Sequence, residues 1–296
     1  MKFRTDLAIE NKEMYDSENK GRNIEIPGVE VETDTYEEEV RVTRIKITDD
    51  YGSNIMSKPI GNYITLEVDG VIDGPDELKE KVAKALAREL QQLIHFHYSL
   101  KVLIIGLGND KVTPDALGPQ TVSKVKVTRQ YFLMFDADGD DEMSCVSGFI
   151  PGVMGSTGME TAELIRSAAE IAKPDVIIAV DALASRHIER INTTIQISDT
   201  GIAPGSGTGN MRKELNEKTL GVKVIALGVP TVIDSRTLIL DTLSKYITDP
   251  MAAENYLEQK GHDMIVTSSD IDQVIHDFSG IIANGINITL HPGIYS

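Results

Sequence analysis

The stretch at 101–119, KVLIIGLGNDKVTPDALGP, constrains the fold more than any other part of the chain. Its apolar run at 102–105 is bounded by glycine and predicts a strand that is buried on both faces. Thr113 is then a candidate helix N-cap and Pro114 suits the first helical position, which would place Asp115 in the first turn. The order of strand, glycine loop and helix is typical of open parallel sheets, where functional groups gather beyond the carboxyl ends of the strands.

A second apolar run at 176–180, VIIAV, predicts another fully buried strand, and Asp181 follows it directly. If the two strands are parallel neighbours, Asp115 and Asp181 lie at the same edge of the sheet. Two close carboxylates cannot both ionise cheaply, so one would hold a proton and the pair could act as acid and base. The alternative is that Asp115 only complements a helix dipole and that Asp181 lies far from it.

The glycine-rich segments fit nucleotide binding poorly. The pattern G-x-G-x-x-G fails after the first strand, because Lys111 stands where the third glycine should be. The later loop at 200–210, TGIAPGSGTGN, lacks the Gly-Lys-Ser/Thr of a phosphate-binding loop. Because it is too long for a tight turn, we interpret it as a candidate substrate-binding segment.

Strands and helices alternate through 100–296, which predicts an α/β core of three layers, α/β/α, with a mostly parallel sheet. Within it, 193–199 predicts a strand, and 222–229 predicts a buried strand that Pro230 closes. At the other end of the chain, the polar and acidic residues 1–35 predict an extended arm with little packing.

The chain before the core predicts a β-rich N-terminal attachment at 7–99, which includes most of this arm. Alternating apolar residues at 39–49 and 62–71 predict two antiparallel strands, and a slip in the phase of the first suggests a bulge. Residues 51–54 are typical of a turn, and an apolar stripe over 75–96 predicts a helix.

The net charge is −17, from 29 Lys and Arg against 46 Asp and Glu, which disfavours nucleic acid as a direct partner. No apolar run is long enough to span a membrane and no signal core precedes 15, so we expect a cytoplasmic protein with no membrane partner. Cys145 is the single cysteine, which excludes an internal disulfide and a multi-thiolate zinc site. His95 and His97 are two residues apart and cannot face one metal from a helix, so we expect no metal and no cofactor.

Several long motifs together closely resemble the spore germination protease family, which cuts small acid-soluble spore proteins when bacterial spores germinate. The resemblance covers nearly the whole chain and rests on these runs: RTDLAIE at 4–10, GLGN at 106–109, TPDALGP at 113–119, PGVMGSTGMET at 151–161, AVDALASR at 179–186, ERINTTIQISDTGIAPGSGTGN at 189–210, LGVPTVID at 227–234 and ANGIN at 283–287.

The resemblance implies an atypical aspartic endopeptidase of the forespore and spore core. The two aspartates that the family uses in catalysis correspond here to Asp115 and Asp181. The family is made as a zymogen that removes its own N-terminal segment, and it works as a homotetramer. Longer members carry an additional segment where 241–261 is short here, so the resemblance says least about the assembly.

The family cuts after Glu or Asp and before a hydrophobic residue that is followed by Ala. The run Asp6-Leu7-Ala8 fits that rule, which implies self-cleavage between Asp6 and Leu7 and a propeptide at 1–6. The family also favours an acid three residues before the cleaved acid. Phe3 stands there in this chain, so we expect slow processing.

Our hypothesis for the chemistry places a water between the two aspartates. Asp115, near a helix start, would be the charged member, and Asp181, at a buried strand end, would hold the proton. Further candidates are the substrate-binding groups that could steady an oxyanion or read the acid before the cut: Gly108, Asn109, Gly158, Arg186, Arg190 and Arg212.

Two other functions stay open from the residues. A more distant resemblance to the hydrogenase maturation proteases covers the GLGN turn and the two acids, which in that family bind nickel together with a histidine. His187 is the histidine that could approach Asp181 here, so a metal-dependent peptidase is one alternative. The other is a module that binds a basic peptide in an acidic, glycine-rich cleft without cutting it.

Overall fold

The computed structural model describes residues 3–19, 21, 23–205, 212–260 and 264–295. In these ranges a nine-stranded sheet runs in the order β1-β2-β3-β7-β8-β6-β4-β5, with β9 beside β8. The strands are β1 (Val29–Tyr36), β2 (Val40–Ile47), β3 (Gly61–Glu67), β4 (Lys101–Gly106), β5 (Cys145–Phe149), β6 (Val176–Ala184), β7 (Thr194–Ser198), β8 (Lys223–Asp234) and β9 (Ile265–Thr267).

Helices cover both faces of the sheet, which confirms the three-layer α/β/α architecture. They are α1 (Ala8–Glu18), α2 (Asp50–Met56), α3 (Asp76–Leu93), α4 (Leu117–Lys124), α5 (Arg129–Phe135), α6 (Met154–Thr157), α7 (Thr161–Ala172), α8 (Glu217–Leu220), α9 (Ser235–Thr242), α10 (Pro250–Lys260) and α11 (Ile271–Leu290), with short 3-10 turns at Thr113–Asp115 and Ile188–Arg190. One face packs against α3, α4 and α11. The other packs against α7 over the parallel strands and against α1 and α2 over the antiparallel ones.

The parallel part of the sheet consists of β5, β4, β6 and β8. The prediction that the first two buried strands are parallel neighbours is confirmed, because Val102 pairs with Val176 and Gly106 with Val180. The antiparallel part consists of β1, β2, β3 and β7, and it includes the predicted pairing of β2 with β3. β7 joins the two parts through its antiparallel edge with β8, so the sheet as a whole is mixed.

Two strands continue beyond their predicted ends. β6 runs three residues past Asp181 to Ala184, and β8 runs through Pro230 to Asp234. Pro230 fits because the register between the two strands shifts beside it, and prolines in sheets are tolerated at such irregularities. Asp181 therefore lies inside a strand rather than after it.

The predicted bulge in β2 is wrong. Its register is continuous with β1 and with β3. The phase of the apolar residues changes because the strand buries opposite faces at its two ends: Val40 and Val42 face the α3 layer, and Ile45 and Ile47 face α1 and α2. The predicted turn at 51–54 is also wrong, since those residues belong to α2.

The prediction of a loosely packed arm at 1–35 is wrong as well. Leu7 and Ala8 have no exposed surface, and Ile9 is buried beside them. They pack on Ile45 and Leu183, at the end of the sheet where α1 and α2 cover it. The N-terminal segment thus contributes Leu7, Ala8 and Ile9 to the core.

Candidate active site

Asp115 lies at the end of the 3-10 turn Thr113–Asp115, two residues before α4, rather than inside an α-helix as predicted. Thr113 is not an N-cap, because it is the first residue of this turn, and the N-cap positions of the turn and of α4 are occupied by Val112 and Ala116. A hydrogen bond from β8 fixes the position of this turn: the Thr231 hydroxyl donates to the Pro114 carbonyl at 2.8 Å. Burial raises the pKa of Asp115 to about 6, against the opposing hydrogen bond from the Asn109 N–H.

Two glycines allow this turn to approach the sheet. A Cβ on Gly118 would lie 2.4 Å from the Val180 carbonyl oxygen, so only glycine lets the start of α4 pack on β6. Gly108 has φ +104°, in the region that favours glycine, and a Cβ there would lie 2.0 Å from the Asp115 carbonyl oxygen. The glycines of the central motif therefore serve close packing around Asp115 rather than phosphate binding.

Asp181 is only 5% exposed, and its Oδ1 accepts the N–H of Ala182 at 3.0 Å. Its pKa is raised well above the ordinary value, chiefly by burial, then by the charge of Asp115 and then by that of Asp6. Both aspartates line one cavity of about 480 Å³, which β8, the 3-10 turn and the segment around α6 enclose. The predicted carboxylate pair thus shares a cavity, and the protonated form is favoured most at Asp181.

Asp181 also lines a second cavity, of about 320 Å³, together with Asp6. Asp181 and Gln196 both stand opposite Gly228, on the two neighbours of β8, so their backbones are about 10 Å apart across the sheet. A Cβ on Gly228 would lie 2.5 Å from Cγ of Leu183, so the glycine leaves room for that side chain beside the cavity. Asp6, Asp181, Gln196 and Gly228 all line the cavity.

The segment before Leu7 lies beside the end of β6 and contacts it through one backbone hydrogen bond and one side-chain hydrogen bond. The Asp6 N–H donates to the Ala184 carbonyl at 2.9 Å, and the Ala184 N–H donates to Oδ2 of Asp6 at 2.9 Å. The carbonyl oxygen of Asp6 accepts from Nζ of Lys58 at 2.9 Å and from Nε2 of Gln196 at 3.0 Å. Oε1 of Gln196 accepts the Ala8 N–H at 2.7 Å, so this side chain spans the Asp6–Leu7 peptide bond.

Comparison with known proteins identifies the family of the chain. The model of the germination protease family matches residues 8–256. The germination protease of Clostridium tetani is 41% identical over 99% of this chain and 97% of its own length. Those of Caldanaerobacter subterraneus and Bacillus pumilus are 42% and 37% identical over 99% of this chain, covering 95% and 94% of their own lengths. The chain belongs to the germination protease family.

As a member of this family, the chain is a peptide-bond hydrolase with a role in germination. It confirms the family resemblance of the sequence motifs. No helix among the described residues has the length and apolar character needed to cross a membrane.

The three backbone candidates for substrate binding lie in different surroundings. Gly108 lines the cavity of the two aspartates. Asn109 lies just outside it, where its N–H donates to the Asp115 carbonyl at 3.0 Å and its Oδ1 accepts from Lys111. Gly158 is exposed at the end of α6, while its neighbours Gly152 and Val153 line the cavity instead.

The three arginine candidates are also separated. Arg212 lines the cavity of Asp115 and Asp181. Arg186 pairs with Asp241 at 2.8 Å, and its guanidinium lies 3.8 Å from the centre of the Phe3 ring. Arg190 lies behind α1 in a network of acids formed by Glu10, Glu13 and Glu67. Of the glycine-rich loop, Pro204 and Gly205 line the cavity, and 206–210 lie outside the described residues.

Among the residues that the structure describes, no three His, Cys, Asp or Glu side chains converge as a metal site. His187 turns away from Asp181, since its Nδ1 lies 3.0 Å from Asp241 and its Nε2 3.8 Å from Glu13.

Sequence reasoning missed Lys58 and Gln196. Lys58 follows α2 in a segment without a motif, and Gln196, although it lies within the run at 189–210, is one polar residue in a β-strand. Only the alternation of β7 could have indicated Gln196, because it predicts that this side chain shares a face with Asp181 once the strand order is known.

Proposed function

We propose that this chain is a self-processing endopeptidase that begins the degradation of small acid-soluble spore proteins in the spore core. It cuts after Glu or Asp and before a hydrophobic residue that is followed by Ala. Asp115 and Asp181 activate the water, and the working form is a homotetramer. The observation that carries the proposal is the shared cavity of two carboxylates whose pKa values are both raised.

The two acids have different roles in this mechanism. Burial alone raises the pKa of Asp115, to about 6, whereas Asp181 is more deeply buried and also experiences the charge of Asp115. At neutral pH the single proton of the pair therefore resides on Asp181 and the charge on Asp115. Asp115 takes a proton from the attacking water, and Asp181 gives its proton to the leaving amine.

Self-processing removes residues 1–6. Its support is the position of Asp6, which lines a cavity together with Asp181 and contributes to the raised pKa of that carboxyl. Phe3, where the family favours an acid, lies against the guanidinium of Arg186. We infer that Arg186 reads this position and that Phe3 makes the self-cleavage site a slow one.

Two alternatives use the same residues. A metallopeptidase would bind its metal with Asp115 and Asp181. A peptide-binding module would hold a basic segment between them and cut nothing.

The deciding experiment follows the intact mass of the full chain over time at mildly acidic pH with a chelator present. Wild type is run beside Asp115→Asn and Asp181→Asn, and Asp110→Asn is the control because this nearby carboxylate is exposed. We expect wild type and Asp110→Asn to lose residues 1–6 and the other two variants to keep them.

Each alternative predicts a different result of this mass time course. Cleavage that stops with chelator and returns with added metal would support the metallopeptidase. Intact mass in every sample, with and without metal, would support the binding module. Cleavage that persists in Asp115→Asn would refute the two-aspartate mechanism.

A further inference from the structure

The carbonyl oxygen of Asp6 is held by two side-chain donors, Lys58, which lies outside the motifs of the family resemblance, and Gln196, which lies within the run at 189–210. Nζ of Lys58 lies 2.9 Å from it and Nε2 of Gln196 lies 3.0 Å from it. In peptide hydrolysis this oxygen becomes an oxyanion, and donors at about 2.7–3.1 Å are the geometry that stabilises one. We propose that Lys58 and Gln196 form the oxyanion hole for cleavage of the Asp6–Leu7 bond, an inference that rests on the proposed self-processing.

The surroundings of Lys58 favour this role over that of a surface lysine. Its side chain is half-buried in the cavity that Asp6 and Asp181 line. Burial lowers the pKa of its ammonium, against the opposing effect of the carboxylates of Asp6 and Glu10. A charged donor in such a partly desolvated place stabilises a developing negative charge more strongly than it would in water.

Gln196 positions the bond as well as polarising it. The side chain is 8% exposed, and it binds the chain on both sides of the Asp6–Leu7 peptide, through the Asp6 carbonyl and the Ala8 N–H. The Ala184 N–H, on β6, donates a hydrogen bond to the Asp6 carboxylate. Binding at three points fixes the carbonyl oxygen toward its two donors.

The step balances with one proton on the aspartate pair. A bond forms between the water oxygen and the Asp6 carbonyl carbon, a water proton passes to the charged aspartate, and the carbonyl π electrons move to the oxygen between Lys58 and Gln196. When that oxygen regains its double bond, the bond to the Leu7 nitrogen breaks and the nitrogen takes the proton of the other aspartate. The pair ends with one proton, on Asp115 instead of Asp181.

The test measures the rate at which the full chain loses residues 1–6, by intact mass. Lys58→Met removes a donor and Gln196→Glu removes the other while retaining an acceptor for the Ala8 N–H. We expect each to slow cleavage by about 100-fold or more, as the loss of one oxyanion donor does in other hydrolases. Lys58→Arg keeps a cationic donor and should recover part of the rate. Lys46→Met, an exposed lysine on β2, is the matched control and should cleave like wild type.

A second measurement separates chemistry from docking of the N-terminal segment. In the uncleavable Asp115→Asn background, amide hydrogen exchange of residues 3–15 is compared with and without Lys58→Met. We expect equal protection, because Leu7 to Ile9 stay buried in the core without this hydrogen bond. Loss of protection together with loss of rate would make Lys58 a structural support and overturn the proposal, as would wild-type cleavage by Lys58→Met. If wild type itself does not cleave, or Asp115→Asn does, the proposed function fails instead.

Discussion

The substitution Asp115→Asn should stabilise the folded protein at neutral pH while it abolishes cleavage. Burial raises the pKa of Asp115 from 3.8 to about 6, so the folded state binds the proton of this carboxyl more tightly than the unfolded state does. Keeping Asp115 ionised above pH 6 therefore costs folding free energy. At about 1.4 kcal/mol per pH unit, the cost is about 3 kcal/mol.

The measured gain should be smaller than this limit. Asp115 is half-buried, so solvent screens part of its charge, and we expect Asp115→Asn to add about 1–3 kcal/mol. The sign of the pH dependence follows from the raised pKa. The gain is complete above pH 6, shrinks as the pH falls from about 6 toward 3.8, and vanishes where the wild-type carboxyl is protonated in both states.

Urea unfolding at a series of pH values would measure this difference, with Asp110→Asn as the control for a surface charge. Asp181→Asn provides a second test, since Asp181 is the more deeply buried carboxyl and should gain stability in the same direction. An Asp115→Asn protein that is no more stable than wild type at neutral pH would refute the reasoning. So would a gap that stays constant as the pH falls.

Three further predictions follow from the geometry. The self-cleavage rate should be bell-shaped when intact mass is followed from about pH 4 to about pH 9, falling below about pH 6 as Asp115 gains a proton and falling at higher pH as Asp181 loses its own. Gly108→Ala should slow cleavage by about 100-fold or more, because its Cβ would displace the Asp115 carbonyl oxygen 2.0 Å away; a wild-type rate would contradict this packing. Leu7→Ala should lower the free energy of unfolding by about 2–5 kcal/mol in urea, since Leu7 has no exposed surface; an unchanged midpoint would show that it is not a core residue.

The part of the fold that the sequence could predict is the part with strong apolar runs. β4 and β6 are buried on both faces, so their continuous apolar runs predict both that they are strands and that they are buried. Because the two strands are neighbours, Asp115 and Asp181 line one cavity. The sequence does not predict where β6 ends, because Ala182 and Ala184 have little strand preference of their own. Pairing with β8 extends the strand there.

The N-terminal segment illustrates what sequence reasoning cannot reach. α1 has no apolar stripe: its buried residues are concentrated in the first turn and include Glu10. Its position depends on Leu183 and Gln196, which come from distant parts of the chain. Such contacts leave no periodic pattern, and for the same reason the two donors to the Asp6 carbonyl could be found only in three dimensions.

The buried carboxylate of Glu10 gives the cut after Asp6 a second consequence. Glu10 accepts the N–H groups of Arg186 and His187 at 2.7 and 2.9 Å, just beyond β6, and it also accepts the hydroxyl of Thr5. That hydroxyl in turn accepts the Leu7 N–H at 3.0 Å. Removal of residues 1–6 takes Thr5 away and turns the Leu7 nitrogen into an ammonium group beside a carboxylate whose pKa burial has raised. A hydrogen-bonded relay through the Thr5 hydroxyl would give way to the attraction between an ammonium group and a carboxylate, so processing would add a positive charge near Glu10, just beyond the end of β6, that the uncut chain does not possess.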